Sequence, residues 1–217
     1  PWYDHQLEKH GVEIRLNTSV DAALIDEMAP DVVVVATGSV PQIPQDMVES
    51  VTRAEKIELL LIDDILEEGL AFGRNILVVG GDQMGMLASD YLSEGGAQVT
   101  IAESRASFGQ KLAANDRWYL TSRIIEKKVK RLKKVSGVQI AKGDSVILST
   151  AESEELLPDI DTVVFASERY SNRSVAEIAK NKGLETYVIG DAYDASSEDA
   201  GTIFANIHQA YDVARRI

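Results

Sequence analysis

Three runs in this 217-residue chain set flexible and acidic residues where cofactor chemistry needs them. The first is Val-Val-Gly-Gly-Asp-Gln-Met-Gly at 78–85, followed by Glu103. In a strand–turn–helix unit that holds a dinucleotide, the first glycine makes the tight turn and the second lets pyrophosphate approach the amides at the helix N-terminus. The third permits close packing of helix on strand. Gly80 and Gly85 stand at the first and third positions with Gly81 beside the first, while Asp82 takes the second and brings a carboxylate to the place of the pyrophosphate. Glu103 lies 23 positions after Gly80, the spacing of an acidic residue that accepts hydrogen bonds from the adenosine ribose and disfavours a 2′-phosphate. NAD is therefore expected over NADP, a preference blunted by Arg105. The same run also suits a βαβ unit that has kept its fold and lost its nucleotide, and Asp82 leaves that alternative open.

The second run, Tyr187-Val188-Ile189-Gly190-Asp191, reads as a strand ending in Gly-Asp, with Gly201-Thr202-Ile203 opening a helix shortly after. An aspartate at a strand's carboxyl end suits a polyol hydroxyl, and helix amides suit developing negative charge, the pairing that a flavin's ribityl chain and ring require. A plain strand-end turn capped by Asp191 gives the same letters. The third run, Ala36-Thr37-Gly38 before Pro41 and Pro44, is by itself only a tight turn. No G-x-S-x-G, no phosphate-binding G-x-x-x-x-G-K-[ST] and no Tyr followed four residues later by Lys occurs. Serine-hydrolase, nucleotide-triphosphatase and short-chain dehydrogenase chemistry are thereby set aside. No catalytic acid, base or nucleophile is assigned, and no metal ligands are found.

These runs need strands and helices in alternation to position them. A helix ending at Gly11 precedes Val-Glu-Ile-Arg-Leu-Asn, whose alternation predicts a strand, and Asp21 is placed to cap a helix through Met28. Four consecutive valines from Val32 predict a strand buried on both faces, as does Asp-Thr-Val-Val-Phe from Asp161. Prolines mark 39–44 as a crossing connection, and a short helix is expected from Asp63 to Gly69. Between Asn75 and Glu103 the pattern predicts a βαβ unit, then a helix from Ala114 to Glu126, and a hairpin turning at Gly143-Asp144. A helix near 172–182, the strand containing Tyr187 and a helix from Gly201 to Ile217 close the chain. The run 127–134 has six basic residues in eight, read as a solvated face or a contact for a phosphate or an acidic partner.

Lys plus Arg number 22 against 35 Asp plus Glu, a formal charge of −13. That balance repels nucleic acid and anionic membrane surfaces. Without cysteine the chain supplies no thiolate for an iron–sulfur cluster, a dithiol pair or a Cys-type zinc site. No apolar run reaches the roughly 20 residues that span a bilayer, and a cytoplasmic location is expected. The chain starts at Pro1, which suits a piece of a longer polypeptide.

Taken in order, Gln-Leu-Glu-Lys-His-Gly-Val, the valine strand with Ala-Thr-Gly, the glycine run with Glu103, Asp-Thr-Val-Val-Phe, Val-Ile-Gly-Asp and the closing Gly-Thr-Ile-Phe-Ala-Asn resemble a known architecture. They are similar to the carboxyl-terminal region of old-yellow-enzyme-like NADH:flavin oxidoreductases of the 2,4-dienoyl-CoA reductase and trimethylamine dehydrogenase type. The resemblance covers nearly the whole chain. It implies an α/β fold of two Rossmann-like domains, with an NAD-type domain at 71–169 inserted in a partial FAD domain at 1–70 and 170–217. It implies Val20 beside the flavin adenine, Thr37 and Gly38 at the crossing near FAD, Gly190 and Asp191 on the ribityl chain, and Thr202 near the flavin ring. Gly80, Gly81, Gly85 and Glu103 would form the NADH site, with Asp82 as its departure. FMN and an iron–sulfur cluster would belong to a preceding barrel, and the substrate would be an activated alkene. A second departure is Ala166-Ser167-Glu168-Arg169-Tyr170-Ser171-Asn172, where the family has A-x-G-x-x-P-N. Amine dehydrogenase relatives have a degenerate nicotinamide domain, so a structural ADP-holding domain is the second expectation and a non-catalytic nucleotide-binding or interaction module the third.

Overall fold

A strand without polar residues calls for cover on both of its faces, and the five-stranded sheet of this chain meets that demand. The computed structural model describes residues 2–45, 48, 57–67, 71–141, 145–166, 169–197 and 200–217. It divides into two units: Pro1–Gly38 with Asn172–Tyr193 and Gly201–Ile217, and Ser39–Ser171 with Asp194–Ala200.

The first unit opens with α1 (Trp2–Lys9), α2 (Ala22–Met28) and β1 (Val32–Val35). The second contains β2 (Ser39–Pro41), β3 (Glu58–Leu61), α3 (Ile62–Glu67), β4 (Asn75–Val79), α4 (Gln83–Glu94), β5 (Gln98–Ala102) and α5 (Ala114–Glu126). It continues with β6 (Lys130–Leu132), β7 (Val135–Ile140), β8 (Val146–Thr150), β9 (Glu154–Leu157), β10 (Thr162–Phe165) and β11 (Arg169–Ser171). The chain then returns to the first unit through α6 (Ser174–Asn181), β12 (Glu185–Val188), α7 (Asp191–Asp194) and α8 (Ile203–Ala214).

In the second unit five parallel strands lie in the order β3-β10-β4-β5-β6. Successive side chains of β4 point to opposite faces, so Ile76 and Val78 join Met86, Leu92 and Ile124 under the helices. Leu77 joins Val146, Leu148 and Val163 beneath the antiparallel sheet β7-β8-β9. The expected βαβ unit and the helix Ala114–Glu126 are present at these places. β7 and β8 pair as a hairpin, whose turn residues Gly143 and Asp144 lie outside the described residues. The helix expected from Asp63 runs Ile62–Glu67, and Gly69 also lies outside them.

The first unit is built around two parallel strands, β1 and β12. Val35 packs with Ala176 and Ala192 on α6 and α7. Asp21 caps α2 as expected, its Oδ1 accepting from the Leu24 amide at 2.8 Å. Two expectations are corrected here. Val12 to Asn17 form no strand: Val12, Ile14 and Leu16 are exposed, and alternation alone cannot hold a strand without a neighbour to bond it. β1 is not buried on both faces either, because Val34 is 43% exposed. The units divide after Gly38 and after Ser171. β3 pairs with β10, so the segment Glu58–Leu61 belongs with the second unit rather than with residues 1–38.

Candidate functional site

The glycine run of the second unit lies where β4 gives way to α4. Gly80 takes φ +108°, open to glycine and strained for other residues, and its amide donates to the Ala102 carbonyl at 2.9 Å. Gly85, in the first turn of α4, lies so close to this bend that a Cβ there would fall 1.7 Å from the Gly80 oxygen. Gly80 thus makes a tight turn, and Gly85 permits the close approach of α4 to it. Gly81 is enclosed as well, since a Cβ on it would stand 2.5 Å from Phe108 Cδ1 and 2.6 Å from Glu103 Cβ.

Two carboxylates are turned inward at this bend. Glu103, 6% exposed, accepts from the Gly81 amide through Oε2 at 2.6 Å, and through Oε1 from the Arg105 amide at 2.8 Å and the Ser104 hydroxyl at 3.1 Å. Asp82 caps α4, its Oδ1 accepting from the Gln83 amide at 3.1 Å and the Lys111 amide at 3.0 Å. Its Oδ2 meets Arg105 Nη1 at 2.9 Å. Four main-chain amides around the bend, those of Gly81, Gln83, Arg105 and Lys111, are therefore taken by the chain's own anions. The segment after β5 folds back over the bend, the Gly109 amide donating to the Gly81 carbonyl at 2.8 Å. Phe108 and Lys111 were absent from the sequence reading. Their roles come from the path of a loop, which no short motif records.

The basic run has an internal use. Lys127 bridges Asp90 at 2.8 Å and Glu94 at 2.9 Å, joined there by Arg123. Lys130 pairs with Glu155, and the Lys133 ammonium lies 5.6 Å from the centre of the Phe108 ring. Burial pushes the Asp90 carboxyl up, but hydrogen bonds from Arg123 and Lys127 outweigh it and leave the group below its ordinary range.

In the first unit β1 and β12 run parallel with Val35 opposite Val188, so Thr37-Gly38 and Gly190-Asp191 leave the same end of one sheet. Thr37 Oγ1 donates to the Asn172 carbonyl at 2.6 Å, and the Asn172 amide to the Gly38 carbonyl at 2.9 Å. The Gly190 amide donates to Gln209 Oε1 at 2.7 Å, and Asp191 Oδ1 accepts from the Gly201 amide at 2.6 Å. Thr202 is the N-cap of α8. Gly190, Asp191 and Thr202 are thus brought together, and Thr37 and Gly38 share that end of the sheet. Val20 lies half-exposed before α2. Gln209 was not foreseen; its use, two turns into α8, shows only in its bond to the Gly190 amide.

A family model described as pyridine nucleotide-disulphide oxidoreductase matches residues 23–205. The chain is 25% identical over 221 residues to an NADH oxidase of Thermoanaerobacter brockii, a match covering all of this chain and 32% of that protein. It is 27% identical over 219 residues to a cinnamate reductase of Clostridium sporogenes, covering all of this chain and 31% of that protein. Among solved structures, a 2-naphthoyl-CoA reductase superposes with a TM-score of 0.77 at 25% identity, over the whole of this chain and 31% of the other. The chain thus spans about a third of the length of the relatives it matches.

Proposed function

Since the chain belongs to the pyridine nucleotide-disulphide oxidoreductase family, we propose that it is the nucleotide-binding portion of a longer NADH:flavin oxidoreductase acting on an activated alkene. The observation that carries this reading is the second unit's glycine bend, where Gly80 and Gly85 let α4 start hard against the end of β4 and Glu103, just after β5, accepts from the Gly81 amide. When bound, nicotinamide and flavin supply hydride exchange. This chain's residues supply placement: Glu103 stands on the ribose side of a dinucleotide, and the α4 amides meet its phosphates once the Asp82 carboxylate gives way. In the first unit Asp191 and Gly190 are the residues to hold a ribityl chain, Thr202 and the start of α8 to face a flavin ring, Thr37 and Gly38 to line the crossing, and Val20 to meet the adenine.

Completion by more protein is supported by the first unit's surface. Trp2, Leu16, Val34, Ile203 and Phe204 are each exposed in this unit, apolar surface that covering protein would remove from water. We assign the cover to a preceding barrel carrying FMN and an iron–sulfur cluster in the same cytoplasmic polypeptide. Among the described residues no helix is long and apolar enough to cross a membrane.

The test is anaerobic mixing of the longer protein with NADH, following flavin absorbance. Flavin bleaching with NADH, and a far slower response after Glu103→Ala, is expected. Enoyl reduction with NADH by the 217-residue chain alone would overturn the reading, since the chain holds no assigned acid, base or nucleophile. A second reading, an ADP-holding structural domain of an amine dehydrogenase-like flavoprotein, is favoured by one observation: Asp82 occupies the α4 N-terminus. Tight ADP binding with no NADH-dependent bleaching would select it.

A further inference from the structure

The bend at Gly80 is occupied by the protein itself. Asp82 projects its carboxylate onto the first amide of α4, and three donors from three places converge on it: the Gln83 amide, the Lys111 amide and the Arg105 guanidinium. Main-chain amides at a helix N-terminus joined by a guanidinium are the donor set that a phosphate takes. Glu103 consumes the Gly81 and Arg105 amides alongside. The loop carrying Arg105, Phe108, Gly109 and Lys111 is fastened across the bend by these bonds and by Gly109 to Gly81.

Resting on the proposed dinucleotide-binding reading, we propose that Asp82 is an internal surrogate for the pyrophosphate and that it holds the 104–111 loop shut over the nucleotide seat. A diphosphate enters only by displacing this carboxylate. Arg105 then exchanges one anion for the other, leaving Asp82 for the incoming phosphate, and the Lys111 amide is released with the loop. The site is thereby a low-affinity one whose occupancy is set by a competition between two anions for the same donors. Asp82 is a residue that positions the loop, not one that reacts.

Calorimetric titration of NADH into the full chain, its Asp82→Gly variant and its Asp82→Asn variant tests this. Removing a like charge from the phosphate seat is expected to tighten NADH binding about tenfold or more for Asp82→Gly. Asp82→Asn keeps a capping oxygen but loses the ion pair, and about a threefold gain is expected. Inorganic pyrophosphate should raise the melting temperature of Asp82→Gly and leave that of the natural chain unmoved. Adding Arg105→Met to Asp82→Gly should weaken NADH binding about fivefold if the guanidinium has moved to the phosphate. Equal NADH affinity in the natural chain and both folded Asp82 variants would overturn the proposal while leaving the dinucleotide-binding reading intact. Folded variants that bind neither NADH nor pyrophosphate would overturn both.

Discussion

β1 and β10 are nearly the same sequence, Val-Val-Val-Val after an aspartate and Thr-Val-Val-Phe after an aspartate, yet they occupy different environments. All four residues of β10 are buried, because β3 and β4 bond it on either side and helices and a second sheet cover its faces. β1 bonds β12 and packs Val35 inward, while Val34 is exposed. The comparison teaches that an unbroken apolar run states a demand for cover, and that the neighbours decide whether it is met. The second unit meets it with its own residues. The first leaves it open at Val34.

The sharpest way to break the comparison is to place the same charge in both strands. Val164→Asp puts a carboxylate in a fully buried place and should cost about 4 kcal/mol or more, enough to unfold the second unit. Val34→Asp should cost less than about 1 kcal/mol in the 217-residue chain. Urea unfolding followed by circular dichroism reads both, and equal losses would show that β1 is as covered as β10.

A smaller difference is expected between two glycines. Gly85→Ala drives a methyl into the Gly80 carbonyl and should cost about 3 kcal/mol through displacement of α4. Gly190→Ala meets a left-handed φ of +63° and the movable Asn206 side chain at 3.2 Å, and about 1–2 kcal/mol is expected. Thermal melts of the two variants check the order, which a larger loss at Gly190 would reverse.

The smallest effect concerns the ion-pair cluster that joins α4 to α5. Asp90 titrates below its ordinary range in the folded state, so its contribution is whole above the unfolded value and is lost as pH falls through the folded one. Acid unfolding below about pH 4 should therefore be steeper for the natural chain than for Asp90→Asn, which at neutral pH should cost about 1 kcal/mol. Identical acid limbs would remove Asp90 from the account.

Much of the fold was legible because its cues are local. Glycines at 80 and 85 mark the bend, and the alternation of apolar runs with helical spacing marks β4, α4 and β5. Asp21 and Thr202 mark two helix starts. Legibility failed at 12–17, where alternation predicted a strand that has no partner, and at the pairing of β3 with β10, which joins residues about a hundred positions apart. At the candidate site the sequence singled out Gly80, Gly81, Asp82, Gly85 and Glu103. Phe108, Lys111 and Gln209 were not legible, since a loop's return path and a long-range side-chain bond leave no pattern in neighbouring letters.

The sequence by itself determined that strands would alternate with helices, that a glycine bend would open α4, and that acidic residues would stand at the bend and at the tip of β5. These follow from the backbone freedom of glycine, the capping habit of aspartate and the periods of strand and helix. Only the tertiary structure decided that Asp82 and Glu103 would turn inward and claim the amides around the bend. That outcome depends on where Arg105 and Lys111 are carried by a loop folding back across it, and a charge is drawn to whichever donors the fold brings within reach.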